Sequence, residues 1–346
     1  MFPLWGSRKG FLACCRTGLL ACQGFSLSRL LPPALKFSLL AAFALSPALA
    51  QFRVNVNLVR VVTTVKNQSG ELVGDLRKED FQVTDNGEPQ EIAVFERHSD
   101  LPLSVALLVD ISGSTAKDLK YETDSATRFL RVLLGEGNLN DTVALYGFNW
   151  QVTEYHSFTH SLASLTTALK ALHGEAGTSL YDAIYLAARG LEDREGRKVL
   201  VVVTDGGDTT SSKNLQQALA AVQLADAVIY PVVVIPITND AGRNIGGENA
   251  LKFMADGTGG RTFLPTLGAE LDRAFNDIIS ELRTQYLLGF YPRNTPLTKD
   301  RFHKLQVRVT RPELRVSARN GYYGEAEGDS RTADPRISVT PQVKRK

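Results

Sequence analysis

The chain has 346 residues, 43% hydrophobic and 22% charged, with a formal net charge of +2. That balance describes an ordinary globular protein long enough for two domains. It excludes the strong basic field of a nucleic-acid or anionic-membrane binder, because Lys and Arg are scattered apart from the terminal Lys344-Arg345-Lys346.

Residues 1–50 read as a leader. Arg29 and Lys36 precede an almost wholly apolar run, Phe37 to Leu45, and Pro47 then leads into Ala48-Leu49-Ala50. This is the pattern of a cleaved signal peptide, with Gln51 beginning the mature protein. The run is shorter than the roughly 20 apolar residues of a membrane anchor. A lipoprotein signal ending at Cys22 competes with this reading, but Arg16 interrupts its apolar stretch. All three cysteines, Cys14, Cys15 and Cys22, fall in the leader, so the mature chain is expected to lack disulfide and thiol chemistry. The expected destination is the medium, the periplasm or the cell envelope, with no transmembrane segment in the mature chain.

From Phe52 to about Ser99 the pattern is strand-like. Val54, Val56, Leu58 and Val61 to Val65 form alternating or β-branched runs, broken at Asn67-Gln68-Ser69-Gly70. Phe81 to Thr84 is expected to meet Glu91 to Phe95 across a turn containing Asn86-Gly87, a pair suited to the positive φ angles of a primed hairpin turn. So few strands cannot bury a good core alone.

The period changes at Leu103. Apolar strands at 104–109, 143–148, 199–203 and 228–235 alternate with amphipathic helices. These carry Leu119, Phe129 and Leu133; Leu162, Leu165 and Leu169; Ala183, Ile184 and Leu191; Leu215 to Leu224; and, last, Leu251 and Leu271 to Leu282. Near-continuous β-branched strands between such helices predict a buried, mostly parallel sheet covered on both faces, a doubly wound α/β domain over 101–284. Strand patterns return at Tyr286 to Tyr291, Leu305 to Val309, Leu314 to Ala318 and Tyr322-Tyr323. The segments 52–99 and 285–324 are therefore expected to complete one small β-sandwich that flanks the α/β domain or holds it as an insertion. Residues 325–346 are polar and Pro-containing and read as a disordered tail.

The chemistry-bearing residues are Asp110, Ser112, Ser114, Thr178 and Asp205. Each is expected at the C-terminal edge of a strand or just before a helix, where an open α/β sheet places its ligand-binding groups. Hydroxyls and carboxylates without thiol or imidazole suit a hard cation: magnesium first, with manganese or calcium as alternatives. Gly113 is expected to let the two serines converge. Several of these ligands are neutral, so a bound ion would stay electrophilic toward a partner's carboxylate.

The set Asp110-x-Ser112-x-Ser114, then Thr178, then Asp205 resembles the metal-ion-dependent adhesion site of von Willebrand factor A (VWA) domains, with no departure from the pattern. The resemblance covers the whole α/β segment. It implies a Rossmann-like fold and a protein ligand offering an acidic side chain to the metal, with the final Asp, here Asp205, acting directly or, as often in that family, through water. Val83-Thr84-Asp85-Asn86-Gly87 and Tyr286 to Tyr291 further resemble a VWFA-related group of exported acidobacterial-type proteins.

Taken singly, the serines also suit a helix N-cap and Asp205-Gly206 a turn. Ser179 and Asp182 are expected to form a capping box. His156, His160 and His173 show no metal-ligand spacing and read as surface positions. No enzyme is expected: Ser112 stands where a haloacid-dehalogenase-type phosphatase needs a second Asp, and neither a G-x-S-x-G elbow nor a Walker loop is present. The alternatives are a structural interaction module whose β-sandwich makes the contacts and, behind it, a metal-dependent hydrolase.

Overall fold

The computed structural model describes residues 58–97, 101–115, 118–235, 243–295 and 301–324. The leader with its cleavage point after Ala50, the strand run opening at Val54 and Val56, and the tail 325–346 lie outside the described residues.

The chain opens with strands β1 (Val59–Lys66), β2 (Phe81–Asp85), β3 (Glu88–Gln90) and β4 (Ile92–Arg97). The α/β region follows, with strands β5 (Leu103–Asp110), β6 (Thr142–Phe148), β7 (Val152–Thr159), β8 (Arg197–Thr204) and β9 (Ala227–Val233). Its helices are α1 (Leu119–Gly135), α2 (Leu162–Lys170), α3 (Leu180–Leu191), α4 (Leu215–Leu224), α5 (Ile245–Thr258) and α6 (Ala269–Thr284). Strands β10 (Tyr286–Phe290), β11 (Phe302–Val309), β12 (Arg315–Ala318) and β13 (Gly321–Tyr323) close the described chain.

The α/β sheet runs β7-β6-β5-β8-β9, parallel except at the β7 edge. Every residue of the central β5 is buried. Its alternate side chains feed two cores: Val105, Leu107 and Val109 meet Phe129, Leu130 and Phe275 from α1 and α6, while Ala106 and Leu108 meet Ile184, Val222 and Met254 from α3, α4 and α5. A strand clothed on both faces in this way has no reason to alternate apolar with polar. β7 escapes the sequence reading because all of its residues are half-buried or exposed, so it lacks the apolar signature of the others.

The outer strands build two antiparallel four-stranded sheets, β12-β1-β10-β4 and β13-β11-β2-β3. Val61, Phe81, Val83, Leu288, Phe290 and Leu305 fill the core between them. Asn86 (φ 49°) and Gly87 (φ 90°) make the turn between β2 and β3. The expected partner of this hairpin is corrected: Glu88–Gln90 pairs with β2, while β4 crosses to the other sheet and pairs with β10. Between the sandwich and the α/β region, Lys66 pairs with Glu281 at 2.5 Å, and Gln285 Nε2 donates to Tyr230 Oη at 2.8 Å.

Candidate functional site

β5 ends on Asp110, whose side chain is wholly buried. Its Oδ1 accepts from the Ser112 amide at 2.9 Å, and its Oδ2 from Thr204 Oγ1 at 2.6 Å. The hydroxyls of Ser112 and Ser114 converge to 3.1 Å. Thr115 curls the loop, donating from Oγ1 to the carbonyls of Asp110 at 2.9 Å and Ser112 at 3.1 Å. Gly113 is not what permits the convergence: its φ is not positive, and an added Cβ would meet open space. Nor do the serines cap a helix, because Asp118 occupies the N-cap of α1.

Asp205 follows β8 and accepts from the Gly207 amide at 3.2 Å. It sits one residue beyond Thr204, which bonds Asp110 directly. Thr178 is clamped between the two other loops. The Glu175 amide donates to Ile111 O at 2.9 Å, and Thr178 O accepts from the amides of Thr209 at 2.8 Å and Thr210 at 3.1 Å. The fold thus gathers Asp110, Ser112 and Ser114 through hydrogen bonds and brings Asp205 alongside. Thr178 joins through its backbone; among the described residues its hydroxyl bonds none of the other four.

The capping box expected at Ser179 and Asp182 is corrected. Ser179 is the N-cap of α3 but makes no capping bond; its hydroxyl donates to Trp150 O at 3.0 Å. Asp182 accepts instead from the amides of Ser212 at 2.9 Å and Lys213 at 2.8 Å, tying down the loop that carries Asp205. Gly177 (φ +86°) packs on Trp150, and Trp150 Nε1 donates to Glu175 at 3.1 Å. Glu175 and Asp208 are therefore loop fasteners, Asp208 accepting from Ser211 Oγ at 2.5 Å.

Residues 104–267 match the family model of the von Willebrand factor type A domain. This segment is a von Willebrand factor type A domain. Solved structures similar to the chain include the vWF domain of the type V pili tip protein Mfa5 from Porphyromonas gingivalis, at 15% identity over 52% of this chain and 94% of that one, with a TM-score of 0.44. The conserved hypothetical protein BatB from Bacteroides thetaiotaomicron is 20% identical over 52% and 98%, with a TM-score of 0.42. The PilB minor pilin from Streptococcus sanguinis is 13% identical over 54% and 62%, with a TM-score of 0.42. No curated protein matches the chain.

Burial dominates the electrostatics at this edge of the VWA domain. It pushes the Asp110 carboxyl up to about 6, against the hydrogen bonds from Thr204 and Ser112 that pull it down, and Asp205 adds to the rise. Glu122, on the first turn of α1, goes further, to about 8, through burial and then the charges of Asp110, Asp118 and Asp205. Sequence reasoning missed Glu122. Its available signal was position: it continues the buried stripe of Ala126, Phe129, Leu130 and Leu133 on α1, where an apolar residue belongs.

The donor set fits a hard cation. Among the described residues no three Asp, Glu, His or Cys side chains are placed to hold an ion by themselves, so an ion here needs the serine and threonine hydroxyls. A separate cleft of about 490 Å³ opens at the opposite edge of the VWA sheet, between Arg60, Lys198, Asp226 and Arg319, and borders none of the five residues. No described helix is long and apolar enough to cross a membrane.

Proposed function

We propose that this VWA domain belongs to an exported chain and binds a divalent cation, magnesium or manganese, through Asp110, Ser112, Ser114, Thr178 and Asp205. The ion grips an acidic side chain on a partner protein. The observation that carries this reading is the pair of serine hydroxyls 3.1 Å apart, hung from a fully buried aspartate and not engaged in helix capping. Three of the five ligands are neutral hydroxyls, so with Asp205 acting through water a divalent ion meets one carboxylate directly and keeps positive charge. A partner carboxylate offsets it, in a cleft drier than bulk water where the attraction is stronger. Trp150, 56% exposed and fastened to the Thr178 loop, gives the partner an apolar contact beside the ion. Binding is the role this donor set suits, and Ser112 stands where a haloacid-dehalogenase-type phosphatase needs its acid–base Asp.

Calorimetric titration of the mature chain with Mg²⁺ tests the first half. Asp110→Ala is expected to abolish binding while the far-UV circular dichroism is retained, since apolar strands and not the ion hold the sheet. A partner recovered from the exported fraction should release when chelator is added; retention at full strength in chelator overturns the metal grip.

A further inference from the structure

We propose that Glu122 is a third carboxylate of the metal site, acting on the ion through its bound water. The inference rests on the metal-binding reading above and concerns a residue outside the five-residue pattern.

Glu122 is 2% exposed, and among the described residues its Oε2 has no hydrogen-bond partner. Uncompensated burial of a carboxylate is costly enough that such groups are almost always paired, hydrogen-bonded or placed beside a metal. Among the described residues no Lys or Arg forms an ion pair with Glu122, Asp110 or Asp205. The residue is held in place by its helix: the Glu122 amide donates to Asp118 O at 3.2 Å, and the Asp118 amide donates to Thr115 O at 2.9 Å. Thr115 in turn closes the Asp110–Ser114 loop. The side chain is thus anchored on the first turn of the helix that follows the serine loop, within electrostatic reach of Asp110 and Asp205, both of which raise its proton affinity.

Three acidic groups share this edge with no described Lys or Arg paired to them, an arrangement that a bound cation would stabilise. Direct ligation by all three carboxylates is not what the geometry provides, because among the described residues no three acidic side chains are placed to hold an ion alone. A water on the ion, donating to Glu122 Oε2, satisfies the orphaned oxygen and orients the metal's shell from the α1 side. Outer-shell partners of this kind alter metal affinity by roughly 10- to 100-fold.

The test uses the mature chain and Mg²⁺ as the probe, by calorimetry and by thermal unfolding with Mg²⁺ or with chelator. Glu122→Gln is expected to weaken Mg²⁺ binding about tenfold and to raise the melting temperature of the metal-free protein, so that the gain on adding Mg²⁺ shrinks. A purely structural Glu122 would instead shift the melting temperature equally in both conditions and leave affinity unchanged, which overturns the proposal. If Glu122→Gln does not fold, Glu122→Leu, which continues the apolar stripe of α1, replaces it with the same expectations. If the wild type takes up neither Mg²⁺ nor Mn²⁺, the five-residue metal site itself fails. If it binds them and Glu122→Gln binds equally well, only the role of Glu122 fails.

Discussion

Asp110 and Glu122 hold their protons more tightly than exposed acids because the fold removes water from both. A group whose folded pKa lies above its unfolded value contributes stability that is present at low pH and lost as pH rises through the folded value. For Asp110 the window runs from 3.8 to about 6, and for Glu122 from 4.5 to about 8. In chelator, the urea midpoint should therefore fall as pH is raised from about 4 to about 8, a loss on the order of several kcal/mol at about 1.4 kcal/mol per unit. Glu122→Gln should flatten the upper half of that decline; a wild-type profile that rises over the same range would refute the burial argument. The local spacing of Asp110, Ser112 and Ser114 makes them legible in the sequence, since two-residue steps on one loop need no tertiary knowledge. Glu122 was harder to read, because a first-turn glutamate ordinarily serves the helix dipole at the surface, and its one sequence signal was its place on the buried stripe of Ala126, Phe129, Leu130 and Leu133.

The loops at the C-terminal edge of the VWA sheet depend on one another more than on their own turns. Asp182, at the start of α3, fixes the segment after Asp205 by accepting two amide hydrogens, from Ser212 and Lys213. Asp182→Ala removes both part-buried hydrogen bonds, each a net contribution of about 0.5–1.5 kcal/mol. Chemical denaturation should register a loss of about 2 kcal/mol, and Mg²⁺ titration should show weaker binding because the Asp205 loop loosens. Wild-type affinity in the destabilised variant would mean that Asp205 keeps its place without this fastening. Sequence spacing pointed to Ser179 and Asp182 as a local cap; the actual acceptors and donors lie about thirty residues apart, which no local rule detects. The apolar runs of β5, β8 and β9 were legible for the opposite reason, since burial on both faces writes itself into consecutive residues. β4 misled because its β-branched character fits any partner, and the partner it takes, β10, lies beyond the whole α/β region.

That long-range pairing decides which part of the molecule can stand alone. β1 pairs with β10 and β12, β4 with β10, and β2 with β11, so most ladders of the first four strands are completed by residues after Gln285. Within 59–97 the pairing left over is the short β2–β3 hairpin and a bridge between Lys66 and Leu72. A hairpin without further strands is marginal in water. The two cores of the α/β region, by contrast, draw their buried residues entirely from between Leu103 and Leu282, with Val62 only resting against one of them. We therefore expect a fragment of residues 101–284 to unfold cooperatively in urea. A fragment of residues 52–99 should show collapsed amide proton dispersion by NMR, and mixing it with residues 285–324 should restore some of that dispersion by re-forming β1–β10 and β2–β11. Joining the two segments through a long insertion costs little extra loop entropy, about 0.6 kcal/mol per doubling of length, so the sandwich tolerates the VWA domain between its halves. A well-dispersed spectrum from 52–99 alone would show that its core forms without the C-terminal strands, and Val61, Phe81 and Val83 would then need another cover than Leu288, Phe290 and Leu305.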